Sequence, residues 1–134
     1  MTWAGACGNE EGGPIGVAVI THRARDQIAL CLKPLLSSPL PARVLVVNSS
    51  SNDGTVEIAA RLGAETMVVP RNKFNHGLTR EAARRRLGTP VVVMLTPDAR
   101  VLGPDFLARL TAPVRSGEAA VAHALKMADS DPAV

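Results

Sequence analysis

One carboxylate and three polar loops carry the residue types that could do chemistry in this chain. Asp98 follows closely on Val91–Leu95, five apolar residues that break off at Thr96 and Pro97. An unbroken apolar run of that length reads as a strand buried on both faces, as in a parallel sheet. Ligands of open α/β sheets bind in the crevice outside the carboxyl ends of the strands. An acid at that tip is placed to hold a metal or a polar ligand, although it can equally cap a turn. The loop Asn48-Ser49-Ser50-Ser51-Asn52-Asp53-Gly54-Thr55 follows a second such run, Arg43–Val47. It leads into a helix start, whose free N–H groups suit an anion. Capping of that helix explains Asp53 or Thr55, but not three serines in a row. The other two polar loops are Thr21-His22-Arg23, behind Ile15–Ile20, and the basic segment Pro70–Gly77. His22, His76 and His123 show no metal-ligand spacing and read as surface or loop residues.

The elements that must position these loops alternate in type. After Thr21 a helix is expected from about Ala24, because Ile28, Cys31, Leu32 and Leu35 recur at helical spacing, with Pro34 kinking or ending it. The helix after the serine loop places Val56, Ala59, Ala60 and Leu62 on one face and ends at Gly63. Thr66–Val69 is a short strand. A helix over about 78–87 is expected to turn Leu78, Ala82, Ala83 and Leu87 inward and Arg84, Arg85 and Arg86 outward. Beyond Asp98, Gly103-Pro104-Asp105 opens another helix, and Ala119–Leu125 is a candidate last strand. Strands alternating with helices predict an α/β fold with a doubly wound, mainly parallel sheet. A dinucleotide-binding variant is disfavoured, since no G-x-G-x-x-G follows the first strand.

Composition narrows the function. The 134 residues suit one domain, with residues 1–14 read as a flexible glycine-rich leader and 15–134 as the folded unit. Aromatics make up only 2% of the chain against 46% hydrophobic residues, so the core is aliphatic. The net charge of +3 favours small anions. Basic residues without interleaved aromatics argue against nucleic acid as a partner. Cys7 and Cys31 fit neither a disulfide framework nor a metal site and read as free thiols in a reducing compartment. No signal peptide or transmembrane run is visible, so the cytoplasm is the expected location.

Four segments together resemble the N-terminal half of a family 2 glycosyltransferase with the GT-A fold, a Rossmann-like architecture. They are VAVITHR (17–23), VVNSSSNDGT (46–55), FNHGLTR (74–80) and VVVMLTPDA (91–99), in matching order and spacing. The likeness covers roughly residues 15–131 and leans toward the rhamnosyltransferase-like bacterial members, hence toward bacterial polysaccharide biosynthesis. The resemblance implies a nucleotide-diphospho-sugar donor bound by Thr21, Asn48, Ser50, Arg71, His76, Arg80 and Asp98. Thr21 would lie against the base, residue 48 would read its edge, and Arg71 or Arg80 would sit near base or phosphate. Asp98 would hold a divalent cation, manganese or magnesium, which takes oxygen ligands and bridges carboxylate to diphosphate.

The chain departs from that family at three of these positions. Asn48 stands where Asp is usual, Glu81 where Asn follows the arginine, and Pro97 leaves Asp98 without an acidic neighbour. An inverting transfer also needs a general base. The family draws that base and its acceptor surface from the part after the aspartate strand, where only residues 99–134 remain. Glu118, Asp129 and Asp131 carry no motif marking one of them as that base. The catalytic residue is therefore unassigned, and the expectation is a donor-binding domain without the acceptor-binding half. The alternative is a non-catalytic nucleotide-binding or interaction module with the same fold. A half-domain would leave apolar surface uncovered, so a homodimer or other self-association is expected.

Overall fold

The computed structural model describes residues 3–6, 15–50, 52–98 and 105–122. The described strands are β1 (Trp3–Ala6), β2 (Ile15–Thr21), β3 (Ala42–Asn48), β4 (Glu65–Val68), β5 (Val91–Leu95) and β6 (Val121–Ala122). They form one sheet in the order β4-β3-β2-β5-β1-β6. The four strands from β4 to β5 are parallel, while β1 runs antiparallel to both β5 and β6. The helices are α1 (Arg25–Leu36), α2 (Thr55–Leu62), α3 (His76–Leu87) and α4 (Phe106–Arg115), with a 3-10 turn at Arg71–Lys73. The expected doubly wound α/β architecture is present, and the two unbroken apolar strands, β2 and β5, lie side by side at its centre.

Side-chain alternation along the strands splits the core in two. Ile15, Val17 and Val19 of β2 point with Val44, Val46, Val91, Val93 and Leu95 toward α1, α2 and α4. Ala18 faces the other way with Leu45, Val47, Val92 and Met94, against Ala83 and Leu87 of α3. Gly16 shares that second face. A side chain there would place its Cβ 2.5 Å from Thr89 Oγ1 and 3.0 Å from Leu87 Cδ1. Small residues on β2 therefore let the end of α3 press close to the sheet.

Several sequence-based expectations are revised. Residues 3–6, assigned to a leader, form a strand whose backbone pairs along β5 from Trp3 opposite Met94 to Ala6 opposite Val91. A glycine-rich segment carries no strand signal of its own. The unpaired edge of β5 supplies the partner. Pro34 does not end α1, which runs on to Leu36. The hydrogen bond a proline forfeits is to the residue four earlier. That residue is Leu30, which faces solvent with 55% exposure, where water can satisfy its carbonyl. In α3 the buried residues are Thr79, Ala83 and Leu87, while Leu78 and Ala82 are exposed. Asn75 fixes the start of this helix by accepting from Leu78 N at 3.0 Å. Of the last expected strand, Val121–Ala122 is described as β6 and residues 123–125 lie outside the described residues.

Candidate functional site

Strands β2 and β3 end in register, Thr21 beside Asn48, so their following loops leave the sheet together. Thr21, Asn48 and Ser49 are 2%, 1% and 0% exposed, and buried polar groups must find partners. The Thr21 hydroxyl lies 3.1 Å from the Val47 carbonyl and 3.0 Å from Asn48 Oδ1, either of which can accept its proton. Ser49 N donates to Thr21 O at 2.9 Å, and His22 Nδ1 lies 2.7 Å from Ser49 O. Val69 N donates to Asn48 O at 2.9 Å, while Ser50 Oγ donates to Val69 O at 3.0 Å. Three strand-end loops are thereby tied into one polar floor. Arg23 and Ser50 both hold a positive φ, 51° and 40°. Such backbone conformations persist only where surrounding contacts enforce them.

Asp53 locks the two helix starts behind that floor. Its Oδ1 accepts from Thr55 N at 3.2 Å and from Thr55 Oγ1 at 2.6 Å, and its Oδ2 accepts from Arg25 N at 3.3 Å. Thr55 Oγ1 in turn accepts from Ala24 N at 3.2 Å. Gly54, with φ 93° and no side-chain cap, stands at the N-cap of α2, so the cap expected from Asp53 or Thr55 is replaced by a bracket that holds the start of α1 against that of α2.

The segment after β4 closes the near side. Arg71 reaches back, its Nη1 3.4 Å from Ser49 Oγ, and the Phe74 and His76 rings meet edge to face at 4.9 Å. Ile20, Thr21, His22, Arg71, Phe74 and His76 line an open pocket of about 420 Å³. Among the expected site residues, Thr21, Arg71 and His76 thus share one pocket. Asn48 lies beside Thr21 at the end of β3, Ser50 is exposed on the loop that follows, and Arg80 is exposed on α3 without lining the pocket. Sequence reasoning missed His22 and Phe74. Their adjacency to Thr21 and His76 was the available signal, but a histidine and a phenylalanine beside a strand end carry no spacing of their own.

Asp98 stands exposed beyond the tip of β5, its Oδ1 accepting from Thr96 Oγ1 at 2.6 Å. Close behind it, Cys31 of α1 has Sγ 4.0 Å from the Thr96 carbonyl. Burial pushes the Cys31 thiol up to about 11, and the Asp98 carboxylate adds to the rise. Among the described residues no three His, Cys, Asp or Glu side chains converge as a metal cage. An exposed carboxylate fits a hard cation that takes its remaining oxygens from water and ligand. Glu81 is turned along α3 to Arg84, its Oε1 2.6 Å from Arg84 Nε, and this hydrogen bond holds its carboxyl below the usual range. Glu118 is exposed beyond α4, and Asp129 and Asp131 lie outside the described residues. No helix among the described residues is long and apolar enough to cross a membrane.

The family model for glycosyl transferase family 2 matches residues 16–132. No curated protein matches the chain. Similar solved structures include Staphylococcus aureus TarS 1-349, with TM-score 0.65 and 21% identity over 74% of this chain and 31% of that one. A mannosyltransferase from Pyrobaculum calidifontis, solved in complex with GDP-Man and Mn2+, gives TM-score 0.63 and 24% identity over 74% and 31%. Mannosyl-3-phosphoglycerate synthase from Rubrobacter xylanophilus gives 0.62 and 22% over 77% and 37%. The chain spans about a third of the length of these structures.

Proposed function

The chain belongs to glycosyl transferase family 2, and from that premise we propose that it binds the nucleotide-diphospho-sugar donor of a metal-assisted sugar transfer. The observation that carries this reading is the pocket at the carboxyl ends of β2 and β3, with Asp98 at the carboxyl end of β5. Phe74, His76 and Ile20 offer flat and apolar contacts suited to a base, and Arg71 supplies a cation beside them. Asp98 would hold a divalent cation, whose charge would offset that of the diphosphate when bound. The manganese in the mannosyltransferase complex supports the choice of metal.

A single carboxylate binds such an ion weakly alone and better once diphosphate oxygens complete the shell. Coupling between two ligands is reciprocal, so manganese tightens the nucleotide by the factor by which nucleotide tightens manganese. Calorimetric titration with UDP or GDP, with and without manganese, tests this. Asp98→Ala is expected to abolish the coupling and leave thermal stability unchanged, because the side chain is exposed. Arg71→Ala is expected to weaken nucleotide in both conditions, by about 1–3 kcal/mol for a charge-assisted contact. Equal affinity with and without manganese in the unaltered chain would remove Asp98 from the site.

A further inference from the structure

The pocket contains a histidine whose neutral tautomer the fold dictates. His22 Nδ1 lies 2.7 Å from the Ser49 carbonyl oxygen. A carbonyl oxygen can only accept, so Nδ1 carries the proton of that hydrogen bond. In the neutral ring the other nitrogen, Nε2, is then left with its lone pair. Nε2 has no hydrogen-bond partner among the described residues, and the ring itself lines the pocket. The clamp is doubly anchored: Ser49 is fully buried, and its own N–H is bound to the Thr21 carbonyl at 2.9 Å. The left-handed turn at Arg23 directly after His22 fixes the backbone on the other side.

We propose that His22 is a specificity-determining residue of this pocket, its Nε2 accepting a hydrogen bond from an N–H or O–H of the bound nucleoside. The proposal rests on the donor-binding reading above and names the contact that selects the ligand. The other pocket walls agree with it. Arg71 can only donate, the Thr21 hydroxyl proton is committed to Val47 or Asn48, Ile20 and Phe74 offer no side-chain acceptor, and the His76 ring has no hydrogen bond among the described residues that fixes its tautomer. An acceptor beside them suits the donor edge of a base or a sugar hydroxyl.

Two measurements test the proposal. Nitrogen-15 NMR of the unliganded protein at pH 7.5 is expected to show His22 as the Nδ1–H tautomer, and an Nε2–H tautomer overturns the proposal without any ligand. Titration with UDP and GDP in the presence of manganese then reads the contact. His22→Asn retains an N–H at the Nδ1 position for Ser49 but has nothing at Nε2. It is expected to bind roughly three- to ten-fold more weakly at pH 7.5, the loss of one neutral hydrogen bond. His22→Gln, whose amide reaches the Nε2 position, is expected to recover part of the affinity.

Comparison of UDP with CDP, which lacks the ring N–H, and with 2′-deoxy-UDP separates a base donor from a ribose hydroxyl. The analogue that has lost the partner should bind unaltered protein more weakly and be indifferent to His22→Asn. Nucleotide binding that His22→Asn leaves unchanged in affinity overturns this contact alone. Failure of the unaltered protein to bind any of these nucleotides overturns the donor-site reading and the contact with it.

Discussion

Cys31 shows how position, rather than residue type, sets chemistry. It is 2% exposed on α1, and burial together with Asp98 pushes its thiol from 9.0 to about 11. The neutral thiol is poorly nucleophilic, because the thiolate is the reactive form. In a Cys7→Ser background, a disulfide reagent at pH 8 is expected to label Cys31 slowly in the folded protein and rapidly in urea. Equal rates would show that α1 opens freely. The raised value also fixes a sign. In the unfolded chain the thiol ionises first, so this contribution to stability is complete below about pH 9, falls as pH rises, and levels off above about 11. Alkaline denaturation of Cys31→Ala, compared with the unaltered chain, should flatten across that window.

Helix α3 illustrates the same dependence at the level of an element. It approaches the sheet over Gly16, where an added Cβ would meet the Thr89 hydroxyl at 2.5 Å. Thr89 is itself 6% exposed and bonded to Val91 O at 2.9 Å, so it has little room to yield. Gly16→Ala is expected to destabilise the protein by about 1–3 kcal/mol, as overpacking does, read as a lower urea midpoint with an unchanged slope. A neutral result would mean that α3 can shift outward. Such a shift should also loosen the pocket, since Phe74 and His76 stand at the start of that helix.

The whole molecule presents apolar surface that its own core does not use. Leu78 is 72% exposed, Leu30 and Val68 are each 55% exposed, and Val121 is 42% exposed. Val68 lies on β4 and Val121 on β6, the two outer strands of the described sheet, and edge strands offer unpaired backbone to other chains. Self-association is expected, with sedimentation velocity showing dimers or larger species that grow with concentration. A single monomeric boundary at the highest concentration reached would contradict it. Val68→Lys, a charge on an edge strand, should shift the distribution toward monomer if β4 is the contact.

Much of this protein was legible before folding, because strand burial and helix periodicity are written locally. The apolar runs at 15–20, 43–47 and 91–95 marked parallel strands, and Thr21, Asn48 and Asp98 stand at or just beyond strand ends where such runs stop. Gly63 and the α1 positions Ile28, Cys31, Leu32 and Leu35 also behave as their spacing implied. What the sequence could not determine depends on contacts between distant segments. Hydropathy ranks Leu78 above Thr79, yet α3 leaves Leu78 exposed and buries Thr79, because Ala83 and Leu87 pack against the small side chains of β2 and so set the inward face. Strand β1 exists through its pairing with β5, some ninety positions away, and has no pattern of its own. His22 became a candidate contact only when β2 and β3 ended in register, because the Ser49 carbonyl that orients its ring belongs to another loop. Local patterns determined which elements form. Tertiary pairing decided which side chains share a pocket, since the hydrogen bonds that aim them cross between elements.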